Sequence, residues 1–306
     1  MSIPEIPWRN DVFASGVGNE NEQPASEIES FARQVRRKFF KHKLAVWGLV
    51  TTLLLIIIVL LAPWLAPHNP DEITEVFSAP PSFAHWLGTD QVGRDVLSRL
   101  IYGTRVSLVI GFSTVALYVT FGALIGMMAG YYGKWLDMAL MRMTDIFLSF
   151  PYMMVVLVII SVLGANVSTI IIVLALFKWP TIAMLVRGNV LSLKQMDFVR
   201  AGLALGFSTP RILLRHILPN TLAPIIVNAT FGVASTILSE AGLSFLGMGV
   251  KSPQASLGNM LYDAQSLTVL TEQLWLWVPA GFVILITVLA INFVGDGLRD
   301  AMDARS

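Results

Sequence analysis

The chain has 306 residues, of which 55% are hydrophobic and 13% charged, with a formal net charge of +1. Soluble domains carry about 25% charged residues, so this composition leaves too little polar surface for a water-soluble fold, and the near-neutral balance creates no bulk field for nucleic acid. The absence of cysteine excludes disulfide frameworks, thiol catalysis and thiolate metal sites.

Residues 1–43 read as a cytoplasmic tail in two parts. Met1 to Ser30 is acidic and aperiodic, so disorder is expected. Ser30 to Lys43 sets Phe31, Val35, Phe39 and Phe40 among Arg33, Arg36, Arg37, Lys38 and Lys41. That pattern fits a helix on an anionic inner leaflet or a plain orientation signal. No long apolar run precedes Leu44, so no cleavable signal peptide is expected.

Residues 44–306 read as the membrane domain. A membrane helix needs about 20 largely apolar residues, and the first such run is Leu44 to Leu65, closed by Pro63 and Pro67. An external loop over 66–105 follows. It holds Asp90, Arg94, Asp95, Arg99 and Arg105, with a helix expected over Asp90 to Arg99 and an Asp95–Arg99 salt bridge at i, i+4 spacing. The second run, Val106 to Gly130, contains Gly122, Gly126 and Gly130 at four-residue steps. Small residues so spaced let helices approach closely in lipid, within this chain or at a subunit interface. The third run is Ile146 to Leu163, with a start as early as Met138, and Arg142 and Asp145 are spaced to pair at its inner end.

The fourth run, Val167 to Val186, carries Lys178 about ten residues in, roughly 15 Å deep. A lysine there costs about 2.5–3.5 kcal/mol on insertion scales. Pro180 frees an upstream carbonyl, so Lys178 bonds such groups or a buried carboxylate and holds the bundle together, faces a water-filled path, or snorkels through lipid. The cytoplasmic loop over 187–221 contains QMDFVRAGLALGFSTPRILLRHILPN from Gln195. Phe198 to Leu205 is a short helix, Gly206 its left-handed end, and Ser208 or Thr209 with Pro210 opens a second helix that continues to Pro219. The fifth run is Leu222 to Leu238, ending near Glu240, and the sixth is Leu274 to Val294.

The expected fold is therefore all-α and integral to the membrane, with six transmembrane helices. Arg and Lys concentrate before the first run, after Tyr131, between runs four and five, and in the tail at Arg299 and Arg305. Six crossings put all of these on one side, so both termini are cytoplasmic. His42, His68, His85 and His216 are scattered and suggest no metal site. No phosphate-binding G-x-x-x-x-G-K-[ST] run is present, so ATP chemistry would have to come from a partner chain.

The 187–221 loop resembles a family. Permeases of binding-protein-dependent ATP-binding-cassette importers carry the pattern E-A-A-x3-G-x9-I-x-L-P, and Ala201, Gly206, Leu218 and Pro219 occupy their places at full spacing. Arg200, Gly202 and His216 depart from Glu, Ala and Ile. HWLGTDQVGRDVLSRLIYGTRVSL from His85, SEAGLSFLGMGVKSP from Ser239 and VGDGLRDAMD from Val294 resemble the oligopeptide, dipeptide and nickel branch, second (C-type) subunit. The resemblance implies a type I importer permease fold, a second B-type permease, two ATP-binding subunits that hold ATP and magnesium, and an extracytoplasmic substrate-binding protein. It makes this chain a non-enzymatic subunit without a cofactor, in a bacterial or archaeal cytoplasmic membrane.

On this resemblance, Val199, Arg200, Ala201, Gly202, Leu205, Gly206, Phe207 and Pro219 couple to the ATPase. Lys178 and Glu240 are candidates for the translocation path, and Asp90, Arg94 and Asp95 for binding-protein docking. Internal structural roles are the alternative for the last five. Peptides are the expected substrates, with nickel or a nickel chelate as the alternative. A channel or secondary carrier would instead need inverted repeats, which the chain does not display.

Overall fold

The computed structural model describes residues 31–303, and the expectations for Met1 to Ser30 and for Arg305 fall outside them. All regular structure among the described residues is helical. A short basic helix α1 (Phe31–Lys41) leads into α2 (Lys43–Leu60) and a single turn α3 (Ala62–Leu65). After the external loop come α4 (Val96–Tyr132), α5 (Lys134–Ser149), α6 (Tyr152–Leu163) and α7 (Val167–Leu193). The 187–221 loop holds α8 (Asp197–Ala204) and α9 (Thr209–Arg211). A π-helical turn (Ile212–Ile217) then joins α9 to α10 (Leu218–Phe245). Outer helices α11 (Leu257–Tyr262) and α12 (Leu267–Glu272) precede the last long helix, α13 (Leu274–Met302).

Five of these elements are long and apolar enough to cross a bilayer, and α5 and α6 form a pair bent by 82°. The bend has a local cause. Pro151 pushes the residue before it out of helical conformation, and Phe150 is extended at φ −96°, ψ 143°. The third run of the sequence is thus a broken segment rather than one straight helix.

Two packing relationships make the bent pair a crossing. Gly122 abuts Trp179, Gly126 abuts Ala183 and Gly130 abuts Val190, so α4 and α7 run parallel. Parallel neighbours in a membrane require a return crossing between them, and only α5–α6 is available. Independently, Phe39 and Ala45 pack with Leu298 and Ala301, which places the beginning and end of the described chain at one face. An even number of crossings follows, in agreement with six.

The α4–α7 seam is the most extensive helix pairing among the described residues. A Cβ on Gly122 would lie 2.6 Å from the Trp179 carbonyl oxygen, and one on Gly126 would lie 2.4 Å from that of Ala183. Backbone approach of this kind replaces the hydrophobic drive that lipid cannot supply. The glycine steps serve packing within the chain. Helix α1 packs Val35 and Phe39 on the end of α13, while Arg33, Arg36, Phe40 and Lys41 face outward.

Candidate functional site

Three regions carry the polar chemistry. The first is the helical hairpin of the 187–221 loop. Helix α8 ends at Ala204, and Gly206, just past its C-cap Leu205, adopts φ +76° with open space where a Cβ would stand. Positive φ, not crowding, is what requires glycine there. Gly206 N–H donates to the Leu203 carbonyl and Phe207 N–H to the Gly202 carbonyl, each at 3.0 Å. The Phe207 ring stacks on His216 at 5.7 Å and lies 4.1 Å beneath the Arg211 guanidinium. This fastens the turn to the second helix of the hairpin.

Val199, Ile212 and Ile217 are buried and hold the hairpin to the bundle, and Gly202 is buried against the Phe207 ring. Arg200, Ala201, Leu205 and Gly206 are exposed, with Leu205 at 74%, and so are Phe198 and Leu203. Among the expected coupling residues, Val199 and Gly202 are the buried ones. Phe198 shares the outward face of Ala201 and Leu205, three residues before Ala201 and seven before Leu205, while Leu203 is exposed on another side of the helix. The second helix does not stop at Pro219. It passes through the π turn, where the Leu218 N–H reaches back to the Leu213 carbonyl, and continues as α10. A wider turn accommodates a proline that has no N–H to donate.

The second region is the external loop, and here several sequence expectations are corrected. The helix begins at Val96, not Asp90, because Asp95 is its N-cap and accepts the Ser98 N–H at 2.8 Å. Asp95 does not pair with Arg99. Its other oxygen meets His85 Nδ1 at 2.9 Å. Arg99 lies instead 3.5 Å from Asp90, which also pairs with Arg94 at 2.7 Å. Asp90 and Asp95 are buried at 5% and 1% exposure. Their charges organise the loop interior, so they offer little surface for docking. Burial, then the Asp90 charge, raises the carboxyl of nearby Asp263 above the usual range, with Arg99 and Arg94 opposing.

The loop also brings two scattered histidines together. Ligand-type atoms of His68, His85 and Asp95 lie within 4.8 Å of one another, a convergence invisible in the spacing because the chain folds back between them. Hydrogen bonds hold the trio in place: one Asp95 oxygen meets His85 Nδ1, the other accepts the Ser98 N–H, and His68 Nε2 meets the Ala84 carbonyl at 3.0 Å.

The third region lies between α4, α7 and α10. Lys178 turns its ammonium towards α10, 2.8 Å from Ser235 Oγ and 3.1 Å from Thr236 Oγ1. A cavity of about 270 Å³ opens beside it, with Tyr118, Thr181, Asn228, Phe231 and Ser235 in its wall. Glu240 lies elsewhere. Its carboxylate is fully buried, accepting from Ser107 at 2.9 Å and Ser244 at 2.7 Å. It ties α4 to α10 and lines no part of this cavity. Arg142 and Asp145 pair at 3.6 Å as their spacing suggests. A stronger pair unites Arg187 and Asp137 through two hydrogen bonds of 2.5 and 2.7 Å, linking α7 to α5.

The comparisons bear on this geometry. Residues 122–306, which span the broken crossing, Lys178 and the hairpin, match the family described as binding-protein-dependent transport system inner membrane component. The chain belongs to that family. Residues 30–81 match a second model, the N-terminal TM domain of oligopeptide transport permease C. The permease is 40% identical over 278 residues to a dipeptide transport system permease protein of Alkalihalophilus pseudofirmus, covering 89% of this chain and 90% of that one. It is 36% identical over 303 residues to an oligopeptide transport system permease protein of Haemophilus influenzae, covering 98% and 97% respectively. Among solved structures, the MetNI methionine ABC transporter aligns with a TM-score of 0.53 at 19% identity. That alignment covers 67% of this chain and 96% of the other, and it supports the permease fold alone. The permease is thus a multi-pass membrane subunit of an ATP-binding-cassette importer, and in this family ATP hydrolysis lies in separate ATPase subunits.

Proposed function

We propose that this permease is one of two unlike membrane subunits of an importer that carries oligopeptides or dipeptides across a bacterial or archaeal cytoplasmic membrane. The observation that carries this reading is the exposed face of α8, set on the positive-φ hinge at Gly206. Phe198, Leu203 and Leu205 present apolar side chains on the cytoplasmic side, where a helix of this kind fits a hydrophobic groove. Closure of two ATPase subunits would push this helix and its counterpart together, and the rigid Phe207–His216 stack would pass the movement into α10. Alternating access around a cavity near the bilayer midplane follows.

Support for peptide as the substrate comes from the full-length relatives, whose names specify dipeptide or oligopeptide transport. An extracytoplasmic binding protein would meet the outer loop, where Ile73, Phe77, Phe83 and Trp86 are exposed. Tagged permease purified in mild detergent should retain two ATPases and a second permease. Purification as a lone chain or a simple homodimer would count against the reading.

A further inference from the structure

Lys178 is the twelfth residue of α7, about 16 Å from the outer end at Val167 and so close to the midplane of a bilayer core of roughly 30 Å. Its two hydrogen-bond partners, Ser235 and Thr236, are both neutral hydroxyls. The Tyr152 ring centroid lies 6.0 Å away, at the limit of a cation–π contact. Among the described residues no carboxylate comes within ion-pair distance of the ammonium. An ammonium has three donors, and the third has no protein partner among these residues. The charge is therefore held in place by this chain but not neutralised by it.

The wall around it is polar as well. Tyr118 from α4, Thr181 from α7, and Asn228 and Ser235 from α10 border the same cavity. Polar side chains at this depth face a protein partner or water rather than lipid, because lipid exposure is costly. A volume of about 270 Å³ falls just below the roughly 300 Å³ of a complete ligand pocket, as one wall of a shared pathway would. We propose that Lys178 is an anion subsite in the translocation path and receives the C-terminal carboxylate of the passing peptide. Ser235 and Thr236 fix the ammonium, and the substrate supplies the missing negative charge. This rests on the peptide-importer reading above.

The test uses the assembled complex with its binding protein in proteoliposomes. ATP-driven uptake is measured for one peptide with a free C-terminal carboxylate and for the same peptide as its C-terminal amide. Binding-protein selectivity is common to all permease variants and cancels when they are compared. Wild type should favour the acid, and Lys178→Met should reduce that preference about tenfold or more, the range of one hydrogen bond to a charged group. Lys178→Arg should retain the preference, and the melting temperature of the Lys178→Met complex should match wild type or exceed it. An unchanged preference in Lys178→Met overturns the proposal, as does equal loss of acid and amide uptake. A lower melting temperature with loss of assembly overturns it too, and points instead to a structural ion pair with the second permease. Wild-type uptake of acid and amide without preference sinks the carboxylate subsite while leaving the peptide importer intact. Uptake of neither form places the failure in the peptide reading itself.

Discussion

Phe207 donates its backbone N–H to the carbonyl of Gly202 at 3.0 Å, closing the end of α8 over the left-handed Gly206. The same residue stacks its ring on His216, two residues before the start of α10. The hairpin tip and a membrane-crossing helix are thereby one mechanical unit. Replacing Gly206 with Val forces a β-branched residue into positive φ, at a cost of about 1–3 kcal/mol. The assembled complex should then hydrolyse ATP without matching transport. Gly206→Asn should be milder, because Asn tolerates this conformation. Parallel ATPase and uptake assays on both variants check this, and full uptake by Gly206→Val would remove the hinge from the mechanism.

Gly126 meets the Ala183 carbonyl across the α4–α7 seam, where an added Cβ would sit 2.4 Å from the oxygen. Backbone cannot yield as a side-chain end can. Gly126→Ala should therefore destabilise the subunit itself by about 1–3 kcal/mol. A fall in melting temperature of the permease expressed alone is the expected result. An effect seen only in the complex would assign the seam to a subunit interface instead.

Gln91 is exposed at the tip of the outer loop, in a chain without cysteine. Gln91→Cys should react with a membrane-impermeant thiol reagent added to the extracytoplasmic side. Labelling restricted to the cytoplasmic side would break the six-crossing topology.

Much of this architecture was legible from composition. Apolar runs marked every crossing, and the even number of crossings they imply agrees with the Phe39–Ala301 packing, which brings both ends of the described chain to one face. The hairpin was legible because Gly206 and Pro210 are strong local signals. The 82° break at Phe150–Pro151 was not, since hydropathy registers apolar length and ignores direction. The outer loop misled for a different reason. Asp95 and Arg99 have helical spacing, yet Asp95 caps the helix and turns to His85, ten residues earlier. Only folding of the loop could reveal that pairing, and the same holds for the hydroxyls of Ser235 and Thr236 that meet Lys178.

The most direct test of the account is peptide accumulation by the complete transporter reconstituted with its two permeases, two ATPases and binding protein. Labelled peptide should concentrate inside the vesicles above its external level, only with hydrolysable ATP and only with the binding protein present. Peptide flux that runs down its gradient without ATP would contradict the account and identify a channel or carrier.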